Sequence, residues 1–204
     1  MKQYYEKKEK KIKNKKILLI QLLKSYSHFG HSLINSHPKS FNYIIGIRSK
    51  QAIINLEYTL QLIQRSFLLI KKILTTKVKK KKKNQILIIC NNSKTDFIEK
   101  EFKNHPLRHN MKFICTKWEG GTLTNLFKSK NLIKDISLII SFNNIENNLI
   151  IKESKIHKIP LIAIISTDIN PNLIDYPIII NNTNLISIRF LVFLLKKYLY
   201  NFKI

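Results

Sequence analysis

From Gln85 onward one pattern repeats: a short run that is apolar on both sides of its period, then an amphipathic stretch, then another apolar run. The apolar runs are QILIIC (Gln85–Cys90), Met111–Cys115, ISLIIS (Ile136–Ser141), PLIAIIS (Pro160–Ser166) and PIII (Pro177–Ile180). Between and after them, Thr95–Asn104, Glu146–Ile156 and Thr183–Tyr200 carry apolar residues at helical spacing. A strand apolar on both faces is buried on both faces. Alternation with helices therefore predicts an α/β fold, a parallel sheet of five strands flanked by helices. Upstream, Lys16–Tyr26 and Glu57–Thr76 read as helices. Residues 27–50 read as a loop around the apolar piece Tyr43–Ile47, and a lysine run, Lys79–Lys83, precedes the first apolar run. No repeat or linker divides the chain, which predicts a basic N-terminal arm, 1–16, followed by one domain, 17–204.

Charge narrows the class of partner. The 204 residues carry a formal charge of +25, far more than solubility requires, and such a charge repels itself in a compact fold unless a polyanion neutralises it. Nucleic acid is the leading partner and an anionic membrane surface the lesser one. No apolar run approaches the ~20 residues of a membrane span. Lys outnumbers Arg 33 to 4 and Ile outnumbers Val 37 to 2, a bias that an A+T-rich gene explains more simply than any physical demand. The opening MKQYYEKKEKKIKNKK contains Glu and lacks both the Arg/Ser bias of a transit peptide and the apolar core of a secretory signal. It reads as a solvated arm.

The chemistry of known enzyme motifs is missing from the places where an open α/β sheet binds ligands, the loops beyond the strand carboxyl ends. Those loops read NNSK, TKWEGG, FNN and TDINP, with no GxGxxG, no GxxxxGK[ST] and no GxSxG anywhere in the chain. Asp168 follows a strand, as a catalytic or cation-binding carboxylate would, but it lacks a base partner in the sequence and reads as a turn residue. His105 and His109 are separated by Pro106, and Cys90 and Cys115 form no CxxC pair, so no metal site or cofactor is expected. The two cysteines read as reduced, buried thiols.

What stands out instead is a set of loops that mixes aromatics, cations and glycines: SHFGHSLINSHPKS, YIIGIRSK and TKWEGGTLTN. All four glycines of the chain, Gly30, Gly46, Gly120 and Gly121, lie in these three stretches. Lys and Arg hold phosphates, rings stack on bases, and bare backbone approaches sugars closely, which is how RNA is recognised. The competing reading is that Trp118 and Phe29 plug the core and the glycines make tight turns.

In order and at compatible spacing, HFGHSLINSHPKSFNYIIGIRSKQAIINLEYTLQLI, KWEGGTLTNL and IPLIAIISTDINPNLIDYPI resemble the bacterial-type ribosomal protein S2 family, from about Ser25 to Lys197. His28 to His31 match its His-Phe-Gly-His signature, and Pro38, Lys39, Tyr43, Gly46 and Arg48 match the segments that follow. Trp118, Gly120, Gly121, Leu123, Thr124 and Asn125 match its Trp-Leu-Gly-Gly-Met-Leu-Thr-Asn. Asp168, Pro171, Asp175, Tyr176 and Pro177 match its last motif. The resemblance implies a flavodoxin-like, doubly wound sheet and a non-catalytic role in the small ribosomal subunit, with ribosomal RNA and neighbouring ribosomal proteins as partners and no small-molecule substrate. The RNA-facing residues it implies, together with the cations beside them, are His28, Phe29, Gly30, His31, His37, Lys39, Arg48, Lys50, Lys117, Trp118, Gly120, Gly121, Thr124 and Asn125. The rival class is a flavodoxin-like nucleotide-binding module or enzyme.

The departures are informative. Between Asn125 and Ile136 the family carries a two-helix hairpin, and here only LFKSKNLIKD remains, too short for two packed helices. Glu119 replaces an apolar residue, and Lys117 stands where Arg is usual. If Gly120 and Gly121 make a turn ahead of a helix begun by Thr122 to Asn125, its N–H groups form an anion site beside Lys117. The composition, with no transit peptide, points to a gene kept in an organelle, a mitochondrion first, with a plastid or an A+T-rich bacterium as alternatives.

Overall fold

The computed structural model describes residues 15–76, 85–90, 97–116, 118–125, 136–142 and 147–200. The arm 1–14, the Lys79–Lys83 run, Lys117 and the LFKSKNLIKD link lie outside the described residues.

The centre is a five-stranded, all-parallel sheet of β4 (Gln85–Ile89), β5 (Met111–Ile114), β6 (Ile136–Ser141), β7 (Leu161–Ile165) and β8 (Tyr176–Ile179). Its spatial order is β5-β4-β6-β7-β8. Numbered from the first strand of the sheet this is 2-1-3-4-5, the flavodoxin-like order. Successive side chains of a strand point to opposite faces, and the core divides accordingly. Ile86, Ile88 and Cys90 join one buried cluster with Leu138, Ile140, Ile162, Ile164 and Ile178. Leu87 and Ile89 join the other with Ile139, Leu161, Ala163, Ile165 and Ile179. Each fully buried Ile or Leu stabilises the fold by about 1.5–3 kcal/mol relative to an exposed one, so these strands hold only in this sandwiched position.

The helices complete the two layers. After α1 (15–24), α2 (Leu56–Thr76) begins at Asn55, whose Oδ1 accepts from the Glu57 N–H at 3.0 Å. It buries Ile63, Ile70 and Leu74 against the first face, together with Ile98 and Phe102 of α3 (Phe97–Phe102) and Ile188, Leu191, Val192 and Leu195 of α5 (Leu185–Tyr200). The second face is covered by Ile150 and Ile151 of α4 (Asn147–Ile156) and by Trp118 and Leu123. Asn184 caps α5 by accepting from the Ile186 N–H at 3.0 Å, as Asn does at an N-cap.

One sequence expectation fails here. Residues 27–50 are not a loop. With 51–54 they form a three-stranded antiparallel sheet, β1 (Phe29–Ser32), β2 (Ile44–Arg48) and β3 (Gln51–Ile54), in the order β1-β3-β2. The strands are four or five residues long and both pairings contain a register irregularity. No steady period-two pattern marks them, and β2 has exposed apolar residues, Ile45 and Ile47, where a strand covering a core would bury them. The β2–β3 turn is the two residues Ser49 and Lys50, at φ 49° and 63°. Two central residues at positive φ give the type I′ hairpin turn, which usually announces itself by Asn-Gly or Asp-Gly. Neither is present.

Candidate nucleic-acid interface

Thr167, fully buried just past the carboxyl end of β7, fastens the small sheet to the large one. Its Oγ1 accepts from the His31 N–H at 2.9 Å and from the Ser36 hydroxyl at 3.1 Å, and its carbonyl accepts from the His37 N–H at 2.8 Å. Ser40 adds a bond to the Ile169 carbonyl at 3.0 Å. A Cβ built on Gly30 would stand 2.8 Å from Thr167 Cγ2 and 3.2 Å from the Ala52 carbonyl. Only glycine lets β1 pass this close, so the His-Phe-Gly-His stretch is placed at the end of the sheet where open α/β folds present their ligand surfaces.

Around that seam the predicted residues take different positions. The His28 and Phe29 rings lie 4.1 Å apart, and Phe29 stacks in turn with Tyr26 at 6.3 Å. Tyr26 is half exposed and holds φ at 57°, with the Ser27 N–H bonded to the Leu22 carbonyl at 3.1 Å. That is the left-handed closing residue of α1, a position usually given to Gly. Sequence reasoning missed Tyr26. An aromatic two residues before a His-Phe pair was its one signal. Burial pushes the His28 imidazole below its ordinary range. His37 accepts from the Lys39 N–H through Nδ1 at 3.2 Å, while Lys39, Arg48 and Lys50 project into solvent. An open depression of about 610 Å³ runs beside Phe29, lined by Gln51, Asn181, Thr183, Asn184 and Leu185.

Beside it, His31 Nδ1 lies 3.0 Å from Ser166 Oγ and 3.8 Å from Asp168 Oδ1. The residue types are those of a hydrolase, but the geometry is not. A catalytic triad needs Ser and Asp on opposite ring nitrogens so that the imidazole relays a proton between them; here both approach the same nitrogen. Among the described residues no group of three or more His, Cys, Asp or Glu side chains is placed to hold a metal ion.

Trp118–Asn125 are placed differently from what the sequence suggests. Trp118 is 2% exposed and belongs to the buried cluster of Leu123, Ile54 and Ile150, so its ring is core. Gly121 is at φ +89°, and the turn it makes does gather N–H groups on an anion. That anion is the chain's own Glu153, buried on α4: Oε1 accepts from Gly121 N–H and Oε2 from Leu123 N–H, each at 2.8 Å. Residues 121–124 form a turn in which the Asn125 N–H donates to the Gly121 carbonyl at 2.8 Å; a helix continuing from it would lie outside the described residues. Glu153 was not singled out from the sequence, where it is one acid among lysines in an amphipathic helix. Gly120, Thr124 and Asn125 remain at the surface.

Fold and loops together define a doubly wound α/β protein whose small sheet, with exposed cations and a ring stack, sits at the carboxyl end of the large one. Residues 22–138 and 129–200 match the family described as Ribosomal protein S2. The chain is similar to the small ribosomal subunit protein uS2 of Orientia tsutsugamushi (strain Boryong), 27% identical over 218 residues, covering 85% of this chain and 72% of that one. It is 25% identical over 206 residues to the uS2 protein of Endomicrobium trichonymphae, covering 79% and 81% of the two chains. The chain belongs to the ribosomal protein S2 family, and it is a ribosomal protein rather than an enzyme.

Proposed function

We propose that the protein is a structural component of the small ribosomal subunit, and that it holds small-subunit RNA through the seam at Thr167 while neighbouring ribosomal proteins cover other faces. Family membership over residues 22–200 carries the reading. The charge of +25 supports it, because Lys39, Arg48 and Lys50 stand exposed on the segment 29–54 that also carries Phe29 and offer phosphate contacts, while the Tyr26–Phe29–His28 stack offers rings. Gly120, Thr124 and Asn125 form a second contact on the outer side of the Glu153-held turn. Gly30, Trp118 and Gly121 serve this surface from inside by shaping the segments that carry it. Residues 17–204 act as one domain and the basic residues of 1–16 as an arm. The ribosome is mitochondrial in this proposal, because the Lys-over-Arg and Ile-over-Val bias fits an A+T-rich organellar gene.

The test is to sediment ribosomes from the source cells and from purified mitochondria, wash them in high salt, and identify proteins in the small-subunit peak. The chain should remain there, in the mitochondrial fraction. Its recovery only in cytoplasmic or plastid ribosomes would overturn the compartment, and its absence from every small-subunit peak would overturn the role.

A further inference from the structure

Cys90 and Cys115 are 25 residues apart in sequence, yet their sulfurs lie 3.1 Å apart. The register of the sheet causes this. Ile89 pairs with Ile114 as the last partners of β4 and β5, and the Cys90 N–H donates to the Ile114 carbonyl at 2.9 Å, so each cysteine is the next residue out on neighbouring parallel strands. Strands hydrogen-bonded side by side lie about 4.8 Å apart, within the roughly 4.4–6.8 Å between Cα atoms that a disulfide spans. Both side chains point to the same face, Cys90 inside the core cluster and Cys115 packed against it. Their surroundings differ. Cys90 is completely buried, whereas Cys115 is partly exposed and its thiol donates to Glu99 Oε2 at 3.4 Å. Glu99 is itself held by Arg108 at 3.0 Å.

We propose that this pair is a redox modification site, a dithiol that a peroxide closes into an intramolecular disulfide. Cys115 sulfur attacks one oxygen of hydrogen peroxide: an S–O bond forms, the O–O bond breaks, and the departing hydroxide leaves as water with the proton of the thiol. Cys115 is then a sulfenic acid. Cys90 sulfur, already in contact, attacks the Cys115 sulfur; the S–S bond forms, the S–O bond breaks, and the hydroxyl leaves as a second water with the Cys90 proton. Two thiols and one peroxide give one disulfide and two waters. The exposed sulfur meets the oxidant and the buried one resolves it. The product ties β5, an edge strand of the sheet, to β4 at the end where open sheets present ligands.

The test treats the reduced full-length chain with hydrogen peroxide, alkylates the remaining thiols under denaturing conditions and measures intact mass. The expected product is monomeric, has lost two hydrogens and both alkylation sites together, and reverts with dithiothreitol. Its melting temperature should rise by roughly 5–10 °C, as expected for cross-linking a loop of this length in a domain of this size. In Cys90→Ser, Cys115 should accumulate as sulfenic acid that dimedone traps; in Cys115→Ser, Cys90 should react at least ~10-fold more slowly with peroxide because it is buried. Oxidation of the wild-type chain to sulfinic acid without closure, or only to disulfide-linked dimers, would overturn the proposal, and so would a Cys90 in Cys115→Ser that reacts as fast as Cys115 does.

Discussion

Gly30 and Gly121 occupy positions where a side chain is penalised, for two different reasons. At Gly30 the obstacle is contact: a methyl group would press into Thr167 and the Ala52 carbonyl, and the Thr167 bonds that fasten β1 leave it no room to move. Overpacking of this kind costs about 1–3 kcal/mol. At Gly121 the obstacle is φ at +89°, which costs an L-residue on the order of 1 kcal/mol. Gly46 and Gly120 have nothing within 4 Å of the place a Cβ would take, and neither has a φ in the left-handed region. Urea unfolding should therefore show Gly30→Ala and Gly121→Ala losing about 1–3 and about 1 kcal/mol respectively, with Gly46→Ala and Gly120→Ala within about 0.5 kcal/mol of the parent. Equal losses at all four sites would contradict this assignment. That the four glycines cluster in three short stretches was visible in the sequence. Which two are structural was not, because the groups that exclude a Cβ at Gly30 are 22 and 137 residues away along the chain.

Among the elements, the β2–β3 hairpin and the packing of α3 on α5 respond to different perturbations. Ser49 and Lys50 both sit at positive φ in a two-residue turn, so replacing them with Asn-Gly should relieve strain and raise stability by about 1 kcal/mol. Thermal melting should show a gain of about 2–4 °C. No gain would mean that the turn is not type I′. His105 lies in the turn after α3, edge-on to Phe102 at 5.6 Å and to Tyr200 of α5 at 6.1 Å, and its Nδ1 accepts from the Leu107 N–H at 3.2 Å. Burial holds its imidazole below the ordinary range, as it does His28 between α1 and β1. The sign follows from linkage: the unfolded chain takes up these protons at about pH 6.5 while the folded chain refuses them until lower pH. The stability tied to the neutral rings is therefore complete above about pH 6.5 and is lost as pH falls below it. Melting from pH 7.5 to 5.5 should show this loss, and His105→Gln should flatten the profile. An unchanged slope in that variant would show that His105 does not carry it.

For the whole molecule, charge dominates. A chain at +25 that contacts phosphates with exposed lysines releases counterions on binding, and its affinity for RNA should fall steeply with salt, with a slope of about −0.7 to −0.9 per phosphate contact in a plot of log affinity against log salt. Filter binding across a salt series measures it, and a slope near zero would contradict contact through phosphates. Substituting Lys39, Arg48 and Lys50 together by Gln should reduce the slope by about three contacts' worth without lowering the melting temperature, since all three side chains are exposed.

The sequence by itself determined the large sheet and its helices, because strands buried on both faces must be continuously apolar and the helices that cover them must be amphipathic, and both requirements are met within each segment. Only the tertiary structure decided that residues 29–54 pair into an antiparallel sheet, that Trp118 is core, that Glu153 fills the anion site of the glycine turn and that Cys90 meets Cys115. Each of those depends on which distant residue comes alongside, and local periodicity carries no record of it.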